Sequence, residues 1–241
     1  MIILDNLITN SMNYYQIDRI GEAKIIGIKT GTSQVELVES NIEKNQAYFD
    51  FENHFSGYNK NFWYIQDRGF KLNPPTLKGK LRKNAKVTDL MWYGSVYQYL
   101  FEMYSEKYID IIKSFNIGKF KIFDFDIEDV SEKYYLMFIE TIILDSIHFD
   151  KSTVVTGYKH LNTIKYHSIK SKDEFVEFKQ KEPISTFEKL AISKTYYGKD
   201  IIAVQGAGKN FYSEKLIDFL LDCKITGLQV AYNNSIQLEF V

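Results

Sequence analysis

Tyr104-Ser105-Glu106-Lys107-Tyr108-Ile109-Asp110-Ile111-Ile112 is restated further along the chain as Tyr212-Ser213-Glu214-Lys215-Leu216-Ile217-Asp218-Phe219-Leu220. The echo continues at the same offset into Phe120-Lys121-Ile122 and Leu228-Gln229-Val230. A whole helix-to-strand unit is therefore stated twice. A repeated supersecondary unit whose shared residues include no His, no Cys and no phosphate-cradling loop is architecture before it is chemistry.

Each copy has a physical reading. Ser105 and Ser213 suit helix N-caps, where the hydroxyl accepts an orphan N–H and the Glu that follows favours the positive end of the dipole. Tyr108, Ile111, Ile112 and Phe115 in the first copy, and Leu216, Phe219, Leu220 and Cys223 in the second, fall at helical spacing. They predict one packed face, with Glu106, Lys107 and Asp110 toward water. Asn116-Ile117-Gly118 and Ile225-Thr226-Gly227 end the helices, Gly supplying the left-handed conformation, and an alternating strand follows.

The 241 residues are enough for one large domain or two small ones, and the formal net charge of -1 argues against a generic polyanion binder or membrane-surface attachment. A single cysteine, Cys223, excludes an internal disulfide framework and a Cys-based zinc site, and its place on a helical apolar face predicts a buried thiol. Residues 1–15 lack the basic n-region and small-residue cleavage site of a signal peptide, and no stretch approaches the ~20 apolar residues of a membrane span. A cytoplasmic location is expected.

Residues 23–29 and 34–38 flank Thr30-Gly31-Thr32-Ser33 and predict a hairpin. The chain is then acidic through Glu36, Glu39, Glu43, Asp50 and Glu52, and basic through Arg68, Lys71, Lys78, Lys80, Arg82, Lys83 and Lys86. This charge change, with Asn73-Pro74-Pro75 as a stiff extended connector inside it, suggests a boundary between an α+β region of unassigned role, residues 1–85, and a region with two related half-units, residues 86–241. Further strands are predicted at 120–128, 134–144, 175–178 and 200–204, and a short helix starting at Phe187. Strands on both sides of each repeated helix give an α+β class with mixed strands and a duplicated helix-strand unit.

Few motifs carry chemistry. His54, His148, His160 and His167 show no ligand spacing, and His148-Phe149-Asp150 reads as a surface strand or turn, so no metal or cofactor is expected. Gly206-Ala207-Gly208-Lys209 departs from a nucleotide P-loop, with Ala203 where the first Gly belongs and Asn210 after the lysine, and reads as a turn into the Ser213-capped helix. Asp124, Asp126 and Glu128 alternate with Phe123, Phe125 and Ile127, placing three carboxylates on one strand face. They suit a solvated edge or an acidic recognition surface better than a metal, which needs ligands converging from several elements. The basic run, with Phe70, Leu72 and Leu77 among it and Phe62-Trp63-Tyr64 just before it, has the composition of a single-strand nucleic-acid surface, but the balancing acids argue against that. No nucleophile motif stands out, and catalysis is not visible.

Residues 198–230, from Gly198-Lys199-Asp200-Ile201-Ile202 through the Ser213 helix to Ile225-Thr226-Gly227-Leu228-Gln229-Val230, resemble the C-terminal signature of a bacterial immunity-protein family. This is the eleventh immunity class of polymorphic toxin systems, formerly a domain of unknown function. Asp145-Ser146-Ile147-His148-Phe149-Asp150-Lys151-Ser152 resembles its middle segment and residues 87–122 its earlier half, so the resemblance covers residues 87–230. It implies a non-enzymatic antitoxin that binds a cognate protein toxin domain, with no catalytic residue to carry over. Because many such toxins attack nucleic acids and are basic, Asp124, Asp126 and Glu128, together with Glu36, Glu39, Glu43, Asp50 and Glu52, are the expected partner-binding residues. The rival expectation is an enzyme acting on a small molecule or nucleic acid with a site assembled from scattered carboxylates and histidines, for which perturbed groups in a cleft would speak.

Overall fold

A computed structural model describes residues 12–29, 31–38, 45–94 and 97–241 and shows an α+β fold with mixed strands. In chain order the elements are β1 (Tyr14–Arg19), α1 (Ala23–Ile26), β2 (Val35–Leu37), α2 (Gln46–Phe55), α3 (Phe62–Ile65), β3 (Leu77–Leu81), β4 (Leu90–Trp92) and β5 (Glu102–Ser105). They continue with α4 (Glu106–Ile112), β6 (Phe120–Glu128), β7 (Tyr134–Ile139), β8 (Thr141–Ile142), β9 (Thr153–Thr156), β10 (Lys165–His167), α5 (Lys172–Lys181) and β11 (Thr186–Ile192). The chain closes with β12 (Ile201–Val204), β13 (Phe211–Ser213), α6 (Glu214–Asp222), β14 (Leu228–Val230) and β15 (Gln237–Phe240). Among the described residues these strands form three sheets, ordered β14-β1-β13-β12-β8, β10-β9-β11-β15 and β2-β3-β6-β7-β5-β4.

The restated passages occupy equivalent places. The run β6-β7-β5-β4 in one sheet has the same order and register as β14-β1-β13-β12 in another. Leu90 lies opposite Tyr104 as Ile201 lies opposite Tyr212. Tyr134 and Tyr135 face Ser105 and Tyr104 as Tyr14 and Tyr15 face Ser213 and Tyr212. Ile122 pairs with Met137 as Val230 pairs with Ile17. The second unit is thus completed by β1, from the other end of the chain.

The helix starts explain why the units share a frame. Ser105 accepts from the Tyr108 N–H at 3.2 Å and Ser213 from the Leu216 N–H at 3.3 Å, the N-caps read from the sequence. Each capping hydroxyl in turn donates to an aspartate, Ser105 to Asp89 at 2.7 Å and Ser213 to Asp200 at 2.6 Å. The other oxygen of each aspartate crosses to the opposite unit. Asp89 accepts from the Thr226 N–H at 2.8 Å, beyond α6, and Asp200 from the Asn116 N–H at 2.9 Å, beyond α4. Each helix start is therefore tied to the other helix's exit, and charge-assisted bonds of this kind are the stronger class. Gly118 (φ 72°) and Gly227 (φ 83°) turn those exits, and at Gly227 a Cβ would lie 2.3 Å from the Leu90 carbonyl oxygen, so only glycine fits.

One core lies between the two units. Tyr104 and Tyr212, Ile109 and Ile217, Ile112 and Leu220, and Ile117 and Ile225 fill it as equivalent pairs. Each aliphatic member contributes about 1.5–3 kcal/mol relative to exposure. A second core, under α2 and α3, takes Phe123, Phe125 and Ile127 from β6, and a third lies between the sheet of β9 and β11 and helix α5. The packed faces of α4 and α6 are rotated from the expected ones: Ile109 and Ile217 are fully buried, whereas Phe219 is 47% exposed and Cys223 half-buried. Phe219 instead reaches sideways to Phe115, ring centroids 5.5 Å apart.

Several local expectations are corrected. Residues 23–29 do not form a hairpin with 34–38: Ala23–Ile26 is one helical turn, closed by Gly27 at φ 79°, and β2 pairs with β3. At Gly27 a Cβ would lie 2.1 Å from the Asn84 carbonyl oxygen, so this turn packs where no other residue fits. Residues 175–178 are helical within α5, because Ser171 accepts from the Glu174 N–H at 3.2 Å and Glu174 accepts from the Lys170 N–H at 2.8 Å. Phe187 lies in strand β11, not at the start of a helix; a register shift between Phe187 and Lys189 breaks the alternation that would have marked it. His148-Phe149-Asp150 takes the turn alternative of its reading, Phe149–Lys151 being a 3-10 turn. Pairing also crosses residue 85: β3 runs parallel to β6, and β1 lies between β13 and β14.

Candidate functional site

A cavity of about 310 Å³ opens where the two units face each other, and equivalent positions line it from both sides. Ile17 faces it from the second unit and Met137 from the first, as do Tyr212 and Tyr104. Elsewhere the pairs differ in chemistry. Arg19 stands opposite the equivalent Ile139, Lys209 opposite Phe101, and Asn210 opposite Glu102. One wall is thus largely apolar, extended by Trp63 and Tyr99, and the other carries most of the charge.

Glu102 and Arg19 are the charged pair nearest the tyrosines. Arg19 Nη1 lies 3.6 Å from Glu102 Oε1, while its guanidinium stacks on Trp92, 4.2 Å from the ring centroid. Burial pushes the Glu102 carboxyl up to about 7, Arg19 opposing and Asp18 reinforcing the effect. Tyr108 donates to the Tyr212 hydroxyl at 3.1 Å, and burial holds Tyr104 and Tyr108 well above the usual phenol range and Tyr212 up to about 12. These phenols stay protonated and act as hydrogen-bond groups.

The neighbouring cations have partners of their own. Lys209 is ion-paired with Asp18. Lys179 turns its amine into the chain after α5, donating to the Pro183 and Ser185 carbonyl oxygens, each at 2.7 Å. The Gly206-Ala207-Gly208-Lys209 turn edges the cavity and is held by the buried Gln16, whose Nε2 donates to the Ala207 and Lys209 carbonyl oxygens, both at 3.1 Å. It is a turn, as its composition suggested, but it leads from β12 into strand β13 and reaches the Ser213-capped helix only through that strand.

The carboxylates singled out from the sequence lie elsewhere. Asp124, Asp126 and Glu128 are exposed on β6, with Phe123, Phe125 and Ile127 buried on the other face. The same outer face is apolar at the start of the strand, where Phe120 and Ile122 pack against the core between the units. Across the sheet, Asp126 is in register with Lys78, Glu128 with Lys80, and Lys80 in turn with Glu36, which is ion-paired with Arg82. The basic run thus supplies counter-charges to the acidic one, and Glu36 joins the β6 carboxylates on a face of alternating sign. Asp50 and Glu52 lie on α2, which packs through Tyr48, Phe51 and Phe55 against the opposite side of this sheet. Glu39 and Glu43 lie outside the described residues.

Among the described residues no cluster of His, Cys, Asp and Glu could hold a metal ion, and no helix is long and apolar enough to cross a membrane. The chain matches no family model and no curated protein. Sequence reasoning missed Glu102 and Arg19. The signal was the echo itself: Glu102 and Asn210 each stand three residues before a capping serine, and with the preceding pair, Phe101 and Lys209, they mark where the copies differ in charge just before the caps.

Proposed function

We propose that the chain is an immunity protein that binds and neutralises a cognate bacterial polymorphic toxin in the cytoplasm, without catalysis. The observation that carries this reading is the use made of the residues behind the family resemblance. Ser213, Asp200, Leu216 and Ile217 are buried and Gly227 is a turn only glycine can make, so these residues serve as frame and leave recognition to the surface. The alternating-sign face of Glu36, Asp124, Asp126 and Glu128 with Lys78, Lys80 and Arg82 is the surface proposed to meet the toxin. Patterned charge gives register and selectivity, and it speeds encounter more than it raises affinity.

The test is co-expression with the product of the adjacent upstream gene, scoring growth rescue and co-purification together. Rescue with a stoichiometric complex is expected; a harmless neighbour that forms no complex would overturn the proposal. One observation favours the second reading, a small-molecule or nucleic-acid-processing enzyme: the cavity between the units holds a carboxyl perturbed to about 7 beside an arginine and a tyrosine cluster.

A further inference from the structure

The cavity between the units has two unlike ends. Where the first unit presents Ile139 and Phe101, the second presents Arg19 and Lys209 at the equivalent positions. The same frame therefore places an apolar wall opposite a donor-rich one. The volume of about 310 Å³ is at the lower end of the range for small-molecule sites.

The charges decide the class of ligand. Three cationic side chains, Arg19, Lys179 and Lys209, line the cavity against two carboxylates, Asp18 and Glu102. Lys209 is satisfied by Asp18 and Lys179 by carbonyl oxygens, but the ion pair of Arg19 with Glu102 is long, at 3.6 Å. A guanidinium is a planar fork of five donors that matches a carboxylate edge-on, and stacking on Trp92 already fixes the plane of this one. An amine entering to pair with Glu102 would have to displace Arg19 while facing Lys209. An anion meets the opposite situation, because Glu102 gives up its charge near neutral pH and releases Arg19.

We propose that this cavity binds a small organic anion, a carboxylate carried on an aromatic or apolar body, with the carboxylate on Arg19 and the body against Phe101, Trp63 and Ile139. The inference does not rest on the immunity reading and holds or fails independently of it. Glu102 is the group that gates it. Facing Glu102 are Arg19 and Asp18 from β1, Lys209 from the β12–β13 turn, and the Tyr104, Tyr108 and Tyr212 phenols, which burial holds protonated, while burial pushes Glu102 up to about 7.

Calorimetric titration of the full chain with 3-phenylpropionate, and with 3-phenylpropylamine as the cationic counterpart, tests this. Saturable binding of the carboxylate is expected, with a Kd on the order of millimolar for so small a probe, and none of the amine. Binding that needs Glu102 protonated weakens about tenfold between about pH 6 and about pH 8, since the competent fraction falls by that factor for a group titrating at about 7. Glu102→Gln should retain the affinity and lose the pH dependence, and Arg19→Met should weaken binding at least about tenfold. Should Arg19→Met fail to fold, the pH profiles of the unmodified chain and Glu102→Gln decide. The proposal is overturned if the amine binds as well as the carboxylate, if the carboxylate binds neither protein saturably, or if the pH dependence survives in Glu102→Gln.

Discussion

The first four-stranded unit is drawn from one continuous run, residues 90–139, whereas its counterpart combines residues 201–230 with β1, residues 14–19. Their strand orders, registers, helix caps and aspartate ties nevertheless agree. Chain connectivity is thus not what sets the frame; strand pairing and the serine–aspartate caps set it, wherever the pieces come from. Where the units part company is at the cavity, where Ile139 and Phe101 on one side answer to Arg19 and Lys209 on the other. The frame is held alike while the lining is free to diverge.

The strongest challenge to that equivalence is the aspartate pair. Asp200 is 1% exposed and holds Ser213, the Asn116 N–H and Lys215, the last at 3.0 Å, whereas Asp89, half-exposed, holds Ser105 and the N–H and hydroxyl of Thr226. Asp200→Ala should cost about 3–5 kcal/mol and Asp89→Ala about 1–3 kcal/mol, read by urea unfolding. Equal losses would mean that burial does not distinguish the two ties.

Next comes the borrowed strand. Ile17 in β1 and Met137 in β7 are equivalent and both buried, and replacing either by Ala should cost about 2–5 kcal/mol through the cavity it leaves. If Ile17→Ala costs under about 1 kcal/mol while Met137→Ala costs the full amount, β1 is an accessory to the second unit and not its completing strand.

The asymmetry at Glu102 and Asn210 gives a smaller, pH-dependent effect. A carboxyl titrating at about 7 in the fold and near 4.5 unfolded keeps its proton in the native state over that interval. Native protein then binds more protons than unfolded, so stability falls as pH rises from about 4.5 to about 7 and levels off above. Glu102→Gln should remove that loss, gaining at most about 3 kcal/mol at about pH 8 and little at about pH 4. Buried His54, whose basicity burial and Arg68 depress, acts oppositely, its contribution being lost as pH falls through and below its ordinary value of 6.5. It is common to both proteins and cancels in the difference. A stability difference independent of pH would contradict the placement of Glu102.

Much of the frame was legible because it is local. The caps at Ser105 and Ser213, the left-handed glycines 118 and 227, and the alternation along 120–128 are each decided within a few residues. The pairing of β1 with β13 and β14 was not, although Tyr14-Tyr15 and Tyr134-Tyr135 echo each other, because register between distant strands leaves only so short a trace. Residues 175–178 and 187–190 were exchanged in type because short apolar runs fit either period, and in β11 a bulge erased the alternation. The acidic stripe was read correctly as three carboxylates on one solvated strand face but not as an edge, since β6 pairs with both β3 and β7, and its counter-charges Lys78 and Lys80 come from a neighbouring strand and show only in the sheet. The cavity was hidden for a similar reason, since Arg19, Glu102 and Lys209 meet only when β1 takes its place.

If the frame is silent and recognition lies on the surface, the alternating-sign face should carry it. The most direct measurement is the affinity of the purified chain for the product of the adjacent upstream gene, the proposed toxin, with and without Glu36→Lys, Asp124→Lys, Asp126→Lys and Glu128→Lys combined, at low and high salt. The expected result is a loss of about tenfold or more with a flattened salt dependence, in a protein whose folding is little changed. Unchanged affinity and unchanged salt dependence would contradict the account.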